Sequence, residues 1–498
     1  MPERPLNDAT RGASPHPLPR PLPQPQEIAI GRRSPARFAG LTSPAHVHEI
    51  RRLAEELRGR IDGRTIWNVN STAAGGGVAE LLRSLLAYAR GLGVATRWMV
   101  IGGNAGFFRV TKRLHHALHG EAGDGSDLGP AEARTYDEVM AHNARRLVTL
   151  VRPRDIVILH DPQTAGLAPR LSAAGAVVIW RCHIGDDRRS AEADRGWRFL
   201  EPHLAHARAF VFSRAAFVPA MCDHGRSVIV PPSIDPFTAK NADMNGATAR
   251  AILVRTGLVA GPAGEAGRPI RVGDGPSLRM ARRAGVLRSG PPPGWGTPLV
   301  VQVSRWDRLK DPVGVMRGFA RLAGDGAAAK AELILAGPAG RGAADDPEGA
   351  GVLADVVAHW RLLPENRRRR VHLANLPVDD VRENAAIVNA LQRHAAVVVQ
   401  KSLREGFGLT VTEAMWKGRP IVASAVGGIQ DQVEDNVSGL LLRDPADPAA
   451  FAALLERALT DTELAGRLGR NARVSVARRF LGLRSLAQYA DLIRGLDG

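Results

Sequence analysis

The sequence is poor in cysteine and in aromatic residues. Phe, Trp and Tyr together make up 5% of its 498 residues, and Cys182 and Cys222 are its only cysteines. Two cysteines without a CxxC spacing do not make a disulfide framework. A chain of this kind suits a reducing compartment, and we therefore expect a cytoplasmic location.

The sequence also lacks long apolar segments. No run approaches the roughly 18 apolar residues that a transmembrane helix needs, and the N-terminal stretch has no hydrophobic signal core. Residues 1–40 are rich in proline and show no periodic apolar face. We therefore predict no membrane partner and a disordered tail over residues 1–40.

Lysine is scarce as well, although the chain carries a formal net charge of +17. Arginine supplies almost all of the basic residues, and an arginine bias of this kind often follows codon composition. The charge is therefore weak support for nucleic-acid binding, and we predict no nucleic-acid partner, but it does suit an anionic substrate. The lysines are Lys112, Lys240, Lys310, Lys330, Lys401 and Lys417.

The length predicts two domains, and 44% hydrophobic content supports globular folding. Short apolar segments alternate with helical patterns, which predicts an α/β fold with parallel sheets. The predicted strands cover residues 65–70, 94–101, 156–160, 177–182, 209–212, 227–230, 299–304, 332–336, 371–373, 395–400 and 421–423. We predict an N-terminal domain over 41–240, a linker or insertion over 241–297 with short helices at 247–254 and 277–286, a C-terminal domain over 298–475, and a last helical segment over 476–498.

A glycine-rich loop follows the first predicted strand. Gly75, Gly76 and Gly77 precede a predicted helix over 78–91. Such a loop brings backbone N–H groups close to a phosphate or a sugar, or it serves simply as a tight turn. The spacing is not GxGxxG and no P-loop lysine follows, so it is weak support for a dinucleotide or ATP.

Polar side chains stand at the carboxyl ends of the predicted N-terminal strands, where open α/β sheets bind ligands. These residues are Asn70, His160, Asp161, Gln163, Arg181 and His183. They are either functional or satisfied structural groups. None of them has metal-ligand spacing, so we predict no metal site.

A second glycine loop lies between the strand 395–400 and a predicted helix over 409–416. Gly406 and Gly408 expose backbone amides, and the helix N-terminus adds partial positive charge. Glu405 precedes the helix and Glu413 lies within it. Amides that hold phosphate and carboxylates that accept hydrogen bonds from hydroxyl groups suit a sugar joined to a diphosphate. Solvated glutamates on an ordinary turn are the alternative.

Two cations follow the first strand of the C-terminal domain. Arg305 and Lys310 flank the strand end, and Asp311 and Pro312 begin the next helix. A forked guanidinium and a point-charge ammonium together suit a diphosphate.

Several further motifs accompany Arg305, Lys310 and Glu405-Gly-Phe-Gly with Glu413. They are Trp67-Asn-Val-Asn-Ser-Thr72, Gly75-Gly-Gly-Val-Ala-Glu80, Phe107-Phe-Arg-Val-Thr-Lys112, His160-Asp-Pro-Gln163, Trp180-Arg-Cys-His183, Pro232-Ser-Ile-Asp-Pro236 and Gln400-Lys-Ser-Leu-Arg-Glu405. With these motifs the sequence resembles the retaining glycosyltransferases of family four, which have two Rossmann-like domains facing a central cleft. The resemblance is to the glycosyl-transferring trehalose synthases in particular. It covers about residues 60–480 apart from the stretch near 243–296, which is longer than the family pattern needs.

The resemblance implies transfer of glucose from a nucleoside diphosphate glucose, ADP- or UDP-linked, to free glucose, without a cofactor. It implies that Arg305 and Lys310 neutralise the diphosphate, that Glu405 holds the donor glucose, that His183 lies near the donor, and that Asp161 is an acceptor-side carboxylate. The further donor-binding residues are Gly75, Gly76, Gly77, Gly406, Phe407, Gly408, Leu409, Thr410 and the ribose-binding Glu413. The acceptor-binding residues are Asn70, Lys112 and Gln163. The resemblance also implies that the last helical segment, over 476–498, crosses back to the N-terminal domain.

Two alternatives remain open. A retaining trehalose phosphorylase shares this signature and replaces the nucleotide with inorganic phosphate. A non-catalytic binding protein is the other, but the intact Arg305, Lys310, Glu405 and Glu413 argue against it. One departure from the family pattern is Gly185-Asp186 after Ile184, where we expect aspartate directly. A homodimer is a further hypothesis.

Overall fold

The computed structural model describes residues 22–73, 76–262, 269–273, 275–322, 326–340 and 348–496. These residues form two α/β domains, each built around a sheet of seven strands. The prediction of two Rossmann-like domains facing a central cleft is confirmed. Within the part of the chain just given, no helix is both long and apolar enough to cross a membrane.

The N-terminal sheet has the strand order β1-β3-β2-β4-β5-β6-β7, and all its pairings are parallel except that of β1 with β3. Its strands are β1 (Gln26–Glu27), β2 (Ile66–Asn70), β3 (Thr96–Val100), β4 (Ile156–His160), β5 (Val177–Cys182), β6 (Ala209–Phe212) and β7 (Ser227–Ile229). Its helices are α1 (Pro44–Ile61), α2 (Gly77–Gly91), α3 (Ala105–Leu118), α4 (Pro130–Leu147), α5 (Ala168–Ala173) and α6 (Ala191–Leu204).

The C-terminal sheet has the order β14-β13-β12-β9-β10-β11-β8, and here β8 is the antiparallel edge strand. Its strands are β8 (Gly285–Leu287), β9 (Leu299–Val303), β10 (Glu332–Pro338), β11 (Val371–Leu376), β12 (Val397–Gln400), β13 (Ile421–Ser424) and β14 (Leu440–Leu442). The remaining helices are α7 (Gly246–Arg255), α8 (Pro312–Ala320), α9 (Gly326–Lys330), α10 (Gly349–Arg361), α11 (Glu365–Arg368), α12 (Val381–His394), α13 (Leu409–Trp416), α14 (Ile429–Gln432), α15 (Pro448–Thr460), α16 (Thr462–Arg479) and α17 (Gly482–Gly495).

Both faces of each sheet are buried, because successive strand residues join different apolar clusters. In β9, Leu299 and Val301 pack into one cluster while Val300 packs into another. In β2, Ile66 and Trp67 likewise point into separate clusters. Parallel strands covered on both faces read as continuous apolar runs, which is why the sequence located them well.

Residues 22–40 are not a disordered tail, and this part of the prediction is wrong. Strand β1 pairs with β3, and a short 3-10 helix at Pro35–Gly40 buries Phe38 completely, against Tyr88 and Phe237. Arg33 also forms an ion pair with Asp235. The segment packs onto the domain through a few isolated residues, and a prediction from proline-rich composition does not identify them. Residues 1–21 lie outside the described residues.

The region 241–297 is not a linker, because its described residues build part of the C-terminal domain. Helix α7 buries Ile252 and Leu253 in the same apolar cluster as Leu391 of α12, and β8 extends the C-terminal sheet. The predicted helix over 277–286 is wrong as well. The N–H groups of Ala281 and Arg282 donate to Glu383 Oε1 at 2.7 and 2.9 Å, so they are not free to make helical hydrogen bonds.

The last helix returns to the N-terminal domain. Ala490 and Ile493 of α17 join the apolar cluster that contains Leu57 and Ile61 of α1. At the crossing point, Ile234 N donates to Phe480 O at 2.9 Å. The chain therefore passes twice between the domains, once near residue 234 and once near residue 481.

Candidate active site

A cleft of about 1640 Å³, open to solvent, lies at the carboxyl ends of the strands of both sheets. In α/β proteins this edge is the usual location for a ligand. The structure places most of the predicted site residues along this one cleft. They are Gly76, Gly77, His183, Arg305, Lys310, Glu405, Gly406, Phe407, Gly408, Leu409, Thr410 and Glu413.

The N-terminus of helix α13 opens into the cleft. Gly408 occupies the position before the helix with φ of +86°, a left-handed conformation that glycine adopts without steric cost. No side chain caps this end, so backbone N–H groups of the first turn remain available to an anion. A Cβ atom on Gly406 would lie 2.8 Å from His183 O, so glycine also permits close approach of the two domains.

A carboxylate and two cations form the centre of the site. Lys310 Nζ lies 2.7 Å from each oxygen of Glu405, and Ser402 Oγ donates to Glu405 Oε2 at 3.1 Å. Arg305 Nη2 lies 3.1 Å from Asp307 Oδ2. An ammonium group carries three hydrogens, so Lys310 keeps one donor for a ligand while Glu405 accepts the other two.

Asp307 stands between these cations and was missed by the sequence reasoning. It is almost fully buried, and its Oδ1 accepts a hydrogen bond from Leu309 N at 2.9 Å. Burial alone would raise the pKa of this carboxyl, but Arg305, Lys310 and Lys112 outweigh burial and hold the pKa at about 2. Asp307 is therefore a permanent anion that orients the cations. The sequence could have indicated Asp307, because it lies between the two predicted cations in Arg305-Trp-Asp-Arg-Leu-Lys310.

Glu413 faces the same cleft from within α13. Its Oε1 lies 3.1 Å from Lys240 Nζ, and its Oε2 is buried without a hydrogen-bond partner among the described residues. Burial raises the pKa of Glu413 and the Lys240 cation opposes that shift. Lys240 also contacts Glu80 of α2 at 2.9 Å. The sequence analysis assigned no role to Lys240 or Glu80, although lysine is rare in this chain.

His183 directly follows β5 and belongs to a buried chain of polar side chains. Its Nε2 lies 3.2 Å from His160 Nδ1, and His160 Nε2 lies 3.0 Å from Asn68 Oδ1. Burial, followed by the nearby Arg181 cation, lowers the pKa of His183 well below its usual range. His183 is therefore a neutral hydrogen-bonding group at neutral pH and does not supply positive charge.

Two more histidines line the cleft from the C-terminal end of α3, and they too were not predicted. His119 Nδ1 lies 3.1 Å from Gly185 O, so Nδ1 is the protonated nitrogen and Nε2 is an acceptor. Burial, then the Lys310 cation, lowers the pKa of His119 to about 3. The sequence could have indicated this pair, because His115 and His119 are one helical turn apart and therefore lie on the same face of the helix. The unexpected Gly185 thus fixes the tautomer of a cleft histidine.

Four predicted residues do not line the cleft. Asp161 Oδ1 accepts a hydrogen bond from His183 N at 2.7 Å, next to the end of β5. Asn70 is engaged by Trp98 Nε1 and by Thr72 O at 2.8 and 2.7 Å. Lys112 lies 4.0 Å from Asp307 Oδ2, behind the cations, and Gln163 belongs to the 3-10 turn after β4. Gly75 lies outside the described residues.

The two Rossmann-like domains, with clustered cations and carboxylates in the cleft between them, suit a glycosyltransferase. The family model described as glycosyl transferases group 1 matches residues 381–475 and supports this class. The chain is similar in structure to a UDP-forming α,α-trehalose-phosphate synthase from Burkholderia xenovorans in complex with glucose-6-phosphate. The TM-score is 0.63 and the identity 20%, over 88% of this chain and all of that one. This likeness shows the fold.

The family follows from sequence comparison. The model for the trehalose synthase N-terminal domain matches residues 68–219. The trehalose synthase of Pyrococcus horikoshii is 32% identical over 473 residues, which cover 95% of this chain and 99% of the relative. The chain therefore belongs to the trehalose synthase family and is a glycosyl-transferring enzyme. A trehalose phosphorylase of Grifola frondosa is 25% identical over 86% of this chain, but only 56% of that relative is covered.

Proposed function

We propose that this enzyme transfers glucose, with retention of configuration, from ADP- or UDP-glucose to free glucose and so forms trehalose. The observation that carries the proposal is the combination of groups that share one cleft. Arg305 and Lys310 offer positive charge, the α13 N-terminus offers free amides, and Glu413 presents a carboxylate oxygen that is buried without a hydrogen-bond partner among the described residues. This combination suits a diphosphate joined to a ribose.

The diphosphate site acts on the leaving group. When the bond between C1 of the donor glucose and the diphosphate oxygen breaks, negative charge grows on that oxygen. Lys310 and Arg305 stabilise this charge in a site that is already organised by Glu405 and Asp307. Because both cations already have carboxylate partners, little reorganisation accompanies the reaction.

The proton has a simple path in a same-face reaction. The anomeric hydroxyl oxygen of the acceptor bonds to C1 of the donor from the face that the diphosphate leaves, and the hydroxyl proton passes to the departing phosphate oxygen. No side chain is needed as a covalent nucleophile. Glu405 and the neutral His183 then serve to hold hydroxyl groups of the donor glucose, and His119 Nε2 accepts a hydrogen bond from a sugar hydroxyl.

Phosphorolysis is the second candidate, because the chain is also similar to a trehalose phosphorylase. Inorganic phosphate would occupy the place between Lys310 and Arg305. In that reaction no ribose would reach the free oxygen of Glu413, which leaves this group without a function. The near-complete coverage of a trehalose synthase relative supports the first proposal instead.

Product analysis distinguishes the two. The purified enzyme is incubated with glucose and each nucleoside diphosphate glucose in turn, with and without inorganic phosphate, and the sugars are separated. We expect trehalose from at least one nucleotide sugar in phosphate-free buffer. Trehalose turnover that requires phosphate and ignores every nucleotide sugar would contradict the proposal and establish the phosphorylase.

A further inference from the structure

Lys240 joins carboxylates from two different domains. Its Nζ lies 3.1 Å from Glu413 Oε1 and 2.9 Å from Glu80 Oε2. Glu413 belongs to α13 of the C-terminal domain, whereas Glu80 lies in the first turn of α2 in the N-terminal domain. Both helices begin at the glycine loops that line the cleft. The three charges therefore connect the two sides of the candidate donor site.

The segment around Lys240 is held by the C-terminal domain. Asn389 of α12 donates to the carbonyl oxygens of Ala239 and Ala242, each at 2.9 Å. The indole Nε1 of Trp416 in α13 donates to Asn241 O at 3.0 Å. These bonds fix Lys240 next to Glu413. If the domains separated, these bonds would keep Lys240 beside Glu413, whereas its contact with Glu80 would break.

Lys240 and Glu80 differ in exposure, which separates their roles. The side chain of Glu413 is 3% exposed, that of Lys240 is 23% exposed and that of Glu80 is 48% exposed. Truncation of one member of a buried charge pair is costly, whereas a half-exposed pair contributes little. The contact of Lys240 with Glu413 therefore governs the charge state of Glu413. The contact of Lys240 with Glu80 is weak enough to form and break during turnover.

We propose that Lys240 is a positioning residue that orients the ribose-binding carboxylate of Glu413, and that its contact with Glu80 is a latch that favours the closed cleft. This inference rests on the proposed function, because it takes a nucleoside diphosphate as the ligand beside Glu413. Closure matters in a transferase because water competes with the acceptor for the donor glucose. Loss of the latch would therefore increase transfer to water.

The charge state of Glu413 gives an independent readout. The charged groups that face it are Lys240, Glu80 and Lys417. Burial raises the pKa of Glu413, and Lys240 is the first group that opposes this shift. Without Lys240 the pKa of Glu413 should rise further, so nucleotide affinity should reach its plateau at a higher pH than in the wild type.

The test uses the full-length enzyme and four variants. Lys240→Met should raise the Kd for ADP or UDP at least about tenfold at neutral pH and move its pH profile upward, while Lys240→Arg should restore most of the affinity. Glu80→Gln should leave that Kd nearly unchanged. It should lower kcat by about two- to fivefold and raise the ratio of donor hydrolysis to transfer by a similar factor. Glu55→Gln, an exposed change on α1, is the matched control.

The outcomes separate the claims. A hydrolysis-to-transfer ratio that is equal in Glu80→Gln and Glu55→Gln overturns the latch. A Lys240→Met enzyme with wild-type affinity and pH profile overturns the positioning role. If the methionine variant does not fold, a Lys240→Arg enzyme that lacks most of the wild-type affinity overturns this role. Wild-type enzyme that makes no trehalose from any nucleotide sugar contradicts the proposed function instead. The latch is then measured by kcat in phosphate-dependent trehalose cleavage, where normal turnover of Glu80→Gln overturns it.

Discussion

Replacing Glu413 with glutamine tests the donor site with a minimal change in shape. Glutamine has the same length as glutamate, so α13 and the packing below it should be preserved. The change removes the negative charge that pairs with Lys240 at 3.1 Å and weakens the free oxygen that faces the cleft. Lys240 keeps Glu80 as a partner, so no buried cation is left without a carboxylate.

The size of the effect follows from the ribose. In the proposed donor complex two ribose hydroxyls donate to this carboxylate, and each hydrogen bond to a charged group contributes about 1.5–3 kcal/mol. A neutral amide oxygen retains roughly half of that stabilisation, because charge-assisted hydrogen bonds are about twice as strong as neutral ones. The net loss is therefore about 1.5–3 kcal/mol, which corresponds to a rise in the donor KM of roughly ten- to a hundredfold.

The assay is steady-state kinetics with each substrate varied in turn. The KM for the nucleotide sugar should rise while the KM for glucose stays nearly constant, because we assign Glu413 to the ribose of the donor and not to the acceptor glucose. Glu463→Gln, an exposed change on α16, serves as the control. A donor KM within about twofold of wild type would refute the assignment of Glu413 to the ribose, since one lost charge-assisted bond already exceeds that limit.

Three further changes test other parts of the structure. Lys310→Ala should lower kcat by about two to three orders of magnitude with the fold intact, because it removes a donor to the developing negative charge. The exposed Lys330→Ala, as the control, should leave kcat unchanged. Near-normal turnover of Lys310→Ala would exclude Lys310 from the mechanism. Deletion of residues 1–40 should lower the melting temperature, and Phe38→Ala alone should cost about 3–5 kcal/mol, because this ring is fully buried; unchanged melting curves would show that the segment does not dock. Asp307→Asn should lower the free energy of unfolding by about 2 kcal/mol above roughly pH 4. The difference from wild type should fade as the pH falls through about 2, because the pKa of Asp307 in the folded protein lies below the ordinary 3.8. A difference that stays constant over that range contradicts the stabilisation of Asp307 by the cations.

The sequence located the catalytic half of the fold well because local signals and tertiary structure agree there. The strand before Glu405, the glycines of the loop and the apolar face of α13 gave a helix over 409–416, the bounds that the structure shows. Gly418, with φ of +69°, ends the helix where a left-handed residue is required. Such positions are determined by nearby residues alone.

Other features depended on partners distant in the chain. Residues 277–286 have a helical pattern, but Glu383, about a hundred positions later, binds their backbone and imposes an extended path. Residues 22–40 dock through Phe38 and Arg33 onto residues far along the chain. Strands as short as β8 and β14, with three residues each, show no measurable periodicity.

The site residues divide in the same way. Arg305, Lys310, Glu405 and Glu413 belong to a short segment pair with recognisable spacing, and they line one cleft. Asp161 looked similar from sequence, yet its carboxylate is engaged by the backbone of His183. Lys240 carried a compositional signal only, since lysine is rare in a chain that otherwise uses arginine. Three of the six lysines are buried, and two more lie in the cleft.

The most direct measurement follows the fate of the donor anomeric carbon. The enzyme receives a nucleoside diphosphate glucose that is isotopically labelled at this carbon, together with unlabelled glucose, in buffer free of phosphate, and the products are observed by NMR. We predict trehalose with the label in one of its two rings and the α configuration at the labelled carbon. Labelled free glucose as the sole product, or a labelled carbon of β configuration, would contradict retaining transfer between two sugars in this cleft.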